Sequence, residues 1–142
     1  MQPQAPAIVR LSERILVEIE SAVIGFARKH KFGVGDELRA DARMVARRAQ
    51  RAWRQRDRRT QLLEELGNSI DDLKLSAQVA QRIGSFSSFA QFEAIARLVN
   101  DLGRQCGGWQ KQHLKSESRR AAPSAGRAPI LSAGDAPRGV QP

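Results

Sequence analysis

Apolar residues recur every three or four positions through most of the chain, which is the spacing of an α-helix that buries one face. Glycine-rich or polar segments interrupt this spacing three times. The pattern predicts helices over residues 8–30, 36–56, 61–83 and from Ser88 to about residue 115. No segment alternates apolar and polar residues as a half-buried strand does. Four helices with short connections predict an all-α fold, an up-down-up-down four-helix bundle.

The same spacing assigns a buried face to each predicted helix. The residues expected in the core are Ile8, Leu11, Ile15, Ile19, Ala22, Phe26, Leu38, Ala42, Val45, Ala49, Ala52, Leu62, Leu66, Ile70, Leu73, Ala77, Ala80, Phe92, Ile95, Val99, Leu102, Cys106 and Trp109. Two helix starts carry polar signals. Asp36 can cap the second helix, and Ser88 with Gln91 three positions later forms a capping box that satisfies backbone N–H groups.

Both ends of the chain depart from the helical pattern. Residues 1–7 contain two prolines and are expected to be flexible. Residues 116–142 contain 4 Pro, 3 Gly, 6 Ala and 4 Ser and keep no apolar period. A segment of this composition buries too little apolar surface to fold, so we expect a disordered C-terminal tail. The predicted folded domain therefore covers residues 8–115.

Composition makes several classes of protein improbable. One Cys cannot form an internal disulfide, and one Cys with two His does not supply a zinc site. No apolar run is long enough to cross a membrane. Arg10, Glu13 and Arg14 stand where a signal peptide has an apolar block. We therefore expect a cytoplasmic protein without membrane contact.

The motifs of catalysis are missing from the sequence. It has no Glu-x-x-His pair of a di-iron bundle and no glycine-rich phosphate loop. Cys106 shares an apolar face with Leu102 and Trp109, which favours a core position over a nucleophile. We expect no catalytic residue, no metal and no cofactor.

The net charge of +9 is concentrated in the second predicted helix. Residues 35–59 hold nine basic and four acidic residues, a net +5, whereas residues 60–84 hold two and four, a net −2. All nine basic residues are arginines. At 100° per residue, six of them lie opposite the apolar face, with Arg48 beside them. These six are Arg39, Arg43, Arg47, Arg51, Arg54 and Arg58.

Arginine forks bind phosphate groups well, so this row predicts nucleic-acid binding that does not depend on base sequence. A solvated helix face and the docking of an acidic protein are the alternatives.

A second feature of the sequence concerns self-association. Val17 and Ile24, and likewise Leu75 and Val79, lie off the inner faces of their helices. Such pairs are weak indicators of contact with another subunit, and a wide bundle core is the alternative.

The fourth predicted helix carries a more specific pattern: Ser88-Phe89-Ala90-Gln91-Phe92-Glu93, then Ala96-Arg97-Leu98-Val99, then Leu102-Gly103-Arg104-Gln105-Cys106-Gly107-Gly108-Trp109. This resembles the last helix of the accessory variability determinant (Avd) proteins of diversity-generating retroelements, whose signature is Gly-Arg-x-x-Gly-Gly/Ser-Trp. The segment 28–32 is similar to the basic turn of that family. The resemblance covers about residues 9–115, and Cys106 stands where the family commonly has Leu.

The resemblance implies a non-enzymatic helical bundle that assembles as a basic homopentameric barrel. It also implies that the protein binds the reverse transcriptase of the element and its template-repeat RNA or cDNA, and supports mutagenic retrohoming. Lys29 and Lys31, with Arg97 and Arg104, are then further candidates for phosphate contact, although Arg104 lies inside the motif and could be structural. Gly103, Gly107, Gly108 and Trp109 are expected to fix packing at the end of the bundle.

Two other functions stay open from the sequence. The four-helix proteins encoded in ribosomal RNA intervening sequences share the fold and some of these motifs, which would imply association with ribosomal RNA. A protein-interaction module that docks an acidic partner through the arginine row is the other alternative.

Overall fold

A computed structural model describes residues 4–127, and the side chains of residues 4–121. Its helices are α1 (Ala7–Ile24), α2 (Arg28–Lys31), α3 (Val34–Arg54), α4 (Arg59–Arg82) and α5 (Phe89–Arg127), with one 3-10 turn at Arg56–Arg58. No strand occurs within the described residues, and the predicted all-α class is confirmed. The chain divides after Gln110 into two compact units. The first unit contains α1 to α4 and the part of α5 that packs against them.

Side-chain contacts show that α1 and α3 run antiparallel. Glu20, near the end of α1, accepts hydrogen bonds from Arg39 and Arg43 near the start of α3. Glu13, about two helical turns earlier in α1, accepts a hydrogen bond from Gln50 near the end of α3. The order of the contacts is reversed between the two helices, as a short connection between packed neighbours requires.

The other two neighbouring pairs of helices are antiparallel as well. Ser76 late in α4 donates to Asp41 early in α3, where α3 and α4 meet. Between α4 and α5, the thiol of Cys106 lies 3.7 Å from the carbonyl oxygen of Leu63 early in α4. Phe92, in the first turns of α5, packs against Phe86 just after α4. These contacts give the first unit the four-helix bundle that the sequence predicted.

One apolar cluster fills the interior of this bundle, and every residue predicted for the core lies in it or packs against it. Val9, Val23 and Leu63 are also buried, although the predicted faces omitted them. Each helix of a bundle touches two neighbours, so its buried face is wider than one residue per turn. The spacing therefore located the core but underestimated its width.

Two predicted helix boundaries differ from the structure at the first connection. The first helix ends at Ile24 rather than at residue 30, and residues 28–31 form the separate turn α2. The helix α3 begins at Val34 after Gly33, so Asp36 lies in its first turn and is not the cap. Asp36 still interacts favourably there with the positive end of the helix dipole.

The start of α5 agrees with the predicted capping box. The backbone N–H of Gln91 donates to the Ser88 hydroxyl at 3.1 Å, and the Gln91 side-chain oxygen accepts from the N–H of Ser87 at 3.1 Å. Gly84, before it, has a φ of 75°, a conformation that glycine adopts without steric cost. This connection reverses the chain between α4 and α5.

The C-terminal segment differs from the expectation of disorder at residues 116–127, which belong to α5. Residues 111–121 contain no glycine or proline. Glu117 and Arg120 form an ion pair at 3.3 Å, the i,i+3 spacing that supports a helix. The remaining residues of the predicted tail, 128–142, and residues 1–3 of the N-terminus lie outside the described part of the chain.

Candidate nucleic-acid interface

Helix α3 separates an apolar face from a basic one. Leu38, Ala42, Val45, Ala49 and Ala52 are fully buried, as predicted from their spacing. The arginines of the opposite face reach solvent to different extents. Exposed members are Arg43, Arg47, Arg51, Arg54 and, beyond the helix end, Arg58. The spacing therefore correctly placed the arginine row away from the core.

The first two arginines of the row are paired with α1. Arg39 Nε and Arg43 Nη2 each lie 2.9 Å from a different oxygen of the Glu20 carboxylate. Arg39 also lies 3.4 Å from Asp36, and only 20% of its side chain is exposed. These two guanidinium groups are partly neutralised within the fold. The sequence did not indicate this pairing, because the two helices meet only after folding.

Arg47 and Arg51 have a different environment. Both are exposed, and within residues 4–121 neither has a hydrogen-bond or ion-pair partner. They stand four positions apart on one helix, which places their Cβ atoms about 6 Å from each other. Two adjacent guanidinium groups without acidic partners form a local site for phosphate oxygens.

Arg54 continues the row toward the end of α3. Its guanidinium lies 5.4 Å from the centre of the Trp53 ring and donates to the Gln50 side chain at 3.2 Å. Gln50 in turn donates to Glu13 of α1. Arg54 therefore stays exposed but is held in place, which lowers the entropy cost of binding a ligand there.

Two other arginines turn toward the protein. Arg48 donates to the hydroxyl of Ser69 and, at 3.3 Å, to the carbonyl of Glu65 on α4. We therefore leave Arg48 out of the proposed interface, although the sequence placed it beside the row. Arg59, which sequence reasoning missed, donates at 2.8 Å to the carbonyls of both Ala52 and Trp53.

Arg59 closes the turn between α3 and α4. Its guanidinium lies 5.3 Å from the centre of the Trp109 ring on α5. Burial, and secondly the positive charge of Arg56, lower the pKa of Arg59 from its ordinary value. The contact joins the end of α3 to α5. Trp109 is partly buried and packs against the apolar core.

The remaining basic candidates lie apart from the arginine row. Lys29 and Lys31 belong to the short helix α2, Lys29 exposed and Lys31 half-buried. Arg97 and Arg104 lie on α5 and pair with carboxylates one turn away, Arg97 with Glu93 at 3.6 Å and Arg104 with Asp101 at 3.2 Å. Exposed pairs of this kind are weak, so a phosphate can compete for these two arginines.

A cavity of about 290 Å³ lies between α4 and α5. Glu64, Asp71 and Lys74 line it, together with Gly103 and Gly107 of the α5 motif. A Cβ on Gly103 would meet the Lys74 amine at 3.2 Å, whereas a Cβ on Gly107 or Gly108 would meet nothing within 4 Å. No atom of the described residues approaches Gly107 or Gly108 closely, and the packing role expected for these two glycines stays a prediction.

The described residues hold no group of three metal-binding side chains. Cys106 is buried, and burial followed by the negative charge of Asp71 raises the pKa of its thiol. The thiol is therefore protonated and poorly nucleophilic near neutral pH. None of the described helices combines the length and the apolarity that a bilayer crossing needs.

The four residues proposed to contact another subunit are all exposed. Val17 and Ile24 lie on α1, and Leu75 and Val79 lie on α4. Their positions agree with the assignment away from the bundle core. Taken one by one, these residues do not require a contact with a second copy, because isolated exposed apolar residues are common.

The chain matches no protein-family model and no curated protein sequence.

Proposed function

We propose that this protein is a non-enzymatic accessory protein of a diversity-generating retroelement, which binds nucleic acid through the exposed arginines of α3. In this proposal it binds the template-repeat RNA or cDNA and the reverse transcriptase of the element, and it acts as a homo-oligomer. The role of the protein in a retroelement is proposed from the resemblance of its last helix to the Avd family. The binding of nucleic acid rests on the geometry of α3.

One observation carries the nucleic-acid proposal: Arg47 and Arg51 are exposed neighbours without an acidic partner in the described part of the chain. Arg54 extends this group, and its position is held by Trp53. A helix that served only as a solvated face would more often mix both signs of charge. Clustered arginines instead favour a polyanion, and they contact its phosphates irrespective of base sequence.

The first experiment compares two charge-reversed variants of the full chain. Arg47→Glu with Arg51→Glu alters the proposed interface. Arg14→Glu with Arg82→Glu changes the net charge equally on α1 and α4, where both arginines are exposed. We expect the first variant to lose at least about tenfold in affinity for an RNA fragment and the control to lose much less. Circular dichroism verifies that both stay helical. Equal losses in the two variants would contradict a local interface.

The second experiment tests the retroelement role. The tagged full-length protein is purified from its native host, and the co-purifying proteins and RNA are identified. We expect a reverse transcriptase and one enriched non-coding RNA, both lost from the variant Arg47→Glu with Arg51→Glu. Recovery of ribosomal components would favour the ribosomal RNA alternative. Recovery of an acidic protein without RNA would favour the interaction module.

A further inference from the structure

A second feature of the bundle combines basic residues with an exposed aromatic ring. The four residues of α2 are Arg28, Lys29, His30 and Lys31, and Phe32 follows them directly. Phe32 is 68% exposed, the largest exposure among the large apolar side chains of the described residues. Phe26, only six positions earlier, is 4% exposed and packs edge-on against Phe86. The chain therefore buries one ring of this connection and leaves the other in solvent.

The exposure of Phe32 occurs in a segment that packing holds in place. A Cβ on Gly35 would meet Val23 Cγ1 at 2.7 Å and the His30 carbonyl oxygen at 3.3 Å, so α2 lies close against α3. The Nδ1 atom of His30 is enclosed. Buried Phe26 precedes the segment, and half-buried Val34 follows it. The ring of Phe32 is therefore presented to solvent by a fixed backbone.

The charges around Phe32 are not compensated locally. Arg28 and Lys29 are exposed and Lys31 is half-buried, and within the described residues none of the three forms an ion pair. Of the two acidic residues that follow the turn, Asp36 is paired with Arg39, and Glu37 is exposed and forms no ion pair with the residues of α2. A planar apolar ring beside three cations matches a ligand that has both flat bases and phosphates.

Such a ligand has to offer an unstacked base. In a duplex, each base is already stacked on its neighbours and paired, so a side chain on the outside does not reach its face. In a single strand the base can turn onto an aromatic ring while cations hold the adjoining phosphates. This arrangement therefore favours single-stranded nucleic acid over a duplex at α2.

We propose that Phe32 and the basic residues of α2 form a single-strand site, in which one base stacks on Phe32 and Arg28, Lys29 and Lys31 contact the flanking phosphates. This inference rests on the proposed function, because it specifies the form of nucleic acid that the protein holds. It adds a contact through a base face to an α3 interface that contacts phosphates only.

The test uses the full chain and a fluorescein-labelled oligouridylate of about ten nucleotides, with a blunt RNA duplex for comparison. We expect Phe32→Ala to weaken oligouridylate binding by about tenfold and to leave duplex binding unchanged. Phe32→Trp should retain binding, since indole also stacks, whereas Phe32→Leu should not restore it. The matched control is Phe89→Ala, which removes another exposed ring, 60% exposed, that has no basic neighbour in the sequence.

Salt dependence separates the ring from the cations. Phe32→Ala leaves the charge unchanged, so the slope of log affinity against log salt should stay the same. Lys29→Ala with Lys31→Ala should reduce that slope by about 1.4, since each phosphate contact to a single strand contributes about 0.7. An equal loss of duplex and oligouridylate binding in Phe32→Ala would overturn the inference, as would an equal loss of oligouridylate binding in Phe89→Ala.

The outcomes distinguish this inference from the function on which it rests. If Arg47→Glu with Arg51→Glu abolishes RNA binding while Phe32→Ala changes nothing, the single-strand site is overturned and the α3 interface stands. If neither variant affects binding, both proposals fail. If Phe32→Ala instead abolishes only binding to vesicles of phosphatidylserine, the basic turn is a lipid contact and the inference is overturned.

Discussion

Two pairs of arginines on α3 differ in their partners, although they follow one another on a single helix. Arg39 and Arg43 share the carboxylate of Glu20. Arg47 and Arg51, one and two turns further, have no such partner among the described residues. The antiparallel register contributes to the difference, because Glu20 lies against the start of α3 and Glu13 lies against Gln50 near its end. Glu18, between these two carboxylates, is exposed and forms no ion pair with Arg47 or Arg51.

This comparison shows that availability for a ligand depends on the neighbouring helix as much as on charge. Two further arginines, Arg48 on α3 and Arg59 at the start of α4, donate to backbone carbonyls of the bundle. These six arginines therefore have three different roles: bonds within the fold, ion pairs with Glu20, and charge that faces solvent. Each group has a different expected response to mutation.

Arg59→Ala should have the largest effect. It removes two hydrogen bonds from a charged donor to the last carbonyls of α3 and the contact with Trp109. We expect the free energy of unfolding to fall by about 3 kcal/mol, measured by urea denaturation. Arg59→Lys should recover less than half, because an ammonium group cannot serve both carbonyls as a planar fork does. Arg56→Ala, at an exposed neighbour, is the control and should be close to neutral.

Arg48→Ala should affect stability and not binding. It leaves Ser69, a buried side chain, without its donor, and we expect a loss of about 2 kcal/mol in the free energy of unfolding. The affinity for RNA should remain that of the unaltered protein when both are measured well below the unfolding transition. A drop in affinity with intact helicity would place Arg48 in the interface after all.

The two groups of the row can be compared directly as alanine pairs. Arg47→Ala with Arg51→Ala should lower the affinity for RNA by about tenfold, equivalent to about 1.4 kcal/mol, and reduce the salt slope by about two. Arg39→Ala with Arg43→Ala removes the same charge, but from groups that Glu20 already compensates, and should cost clearly less. Fluorescence anisotropy over a salt series measures both. Equal effects would show that pairing with Glu20 is irrelevant to binding.

Glu20→Gln should have the smallest effect and the opposite sign. Removing the carboxylate charge releases Arg39 and Arg43, so we expect the affinity for RNA to rise by about threefold at low salt. Stability should change by less than about 1 kcal/mol, since the pairs are partly exposed. Glu18→Gln, an exposed carboxylate of α1 outside these pairs, is the matched control. An affinity that falls in Glu20→Gln would contradict the compensation.

Much of the fold and part of the candidate site could be predicted from local pattern. The helical spacing located the core, and the Ser88 capping box was found because its hydrogen bonds join residues within four positions. Arg48 also carried a usable signal. At 100° per residue it lies only about 40° from Ala52, at the edge of the apolar face. That angle indicates a side chain at a helix–helix contact rather than in the solvent-facing row.

The helix boundaries around α2 were harder to predict. Hydrophobic spacing continues from Ala22 to Phe26, and it suggested one helix where the chain turns at Gly25. The turn is stabilised by packing against distant residues, including the approach of Gly35 to Val23. A periodic pattern indicates which residues become buried. Phe26 is buried as the pattern predicts, but it lies in the turn that follows α1 and not in α1 itself.

By itself the sequence determined what short-range chemistry controls: four amphipathic helices, their buried faces, the cap of α5 and the arginine row opposite the core. Only the tertiary structure decided which arginines remain without partners. Ion pairs such as those of Glu20 with Arg39 and Arg43 join residues about twenty positions apart, and the contact of Arg59 with Trp109 joins two separate helices. Residues so far apart in the sequence meet only when the apolar faces of the helices pack together. Burial of apolar surface, rather than charge, drives this packing.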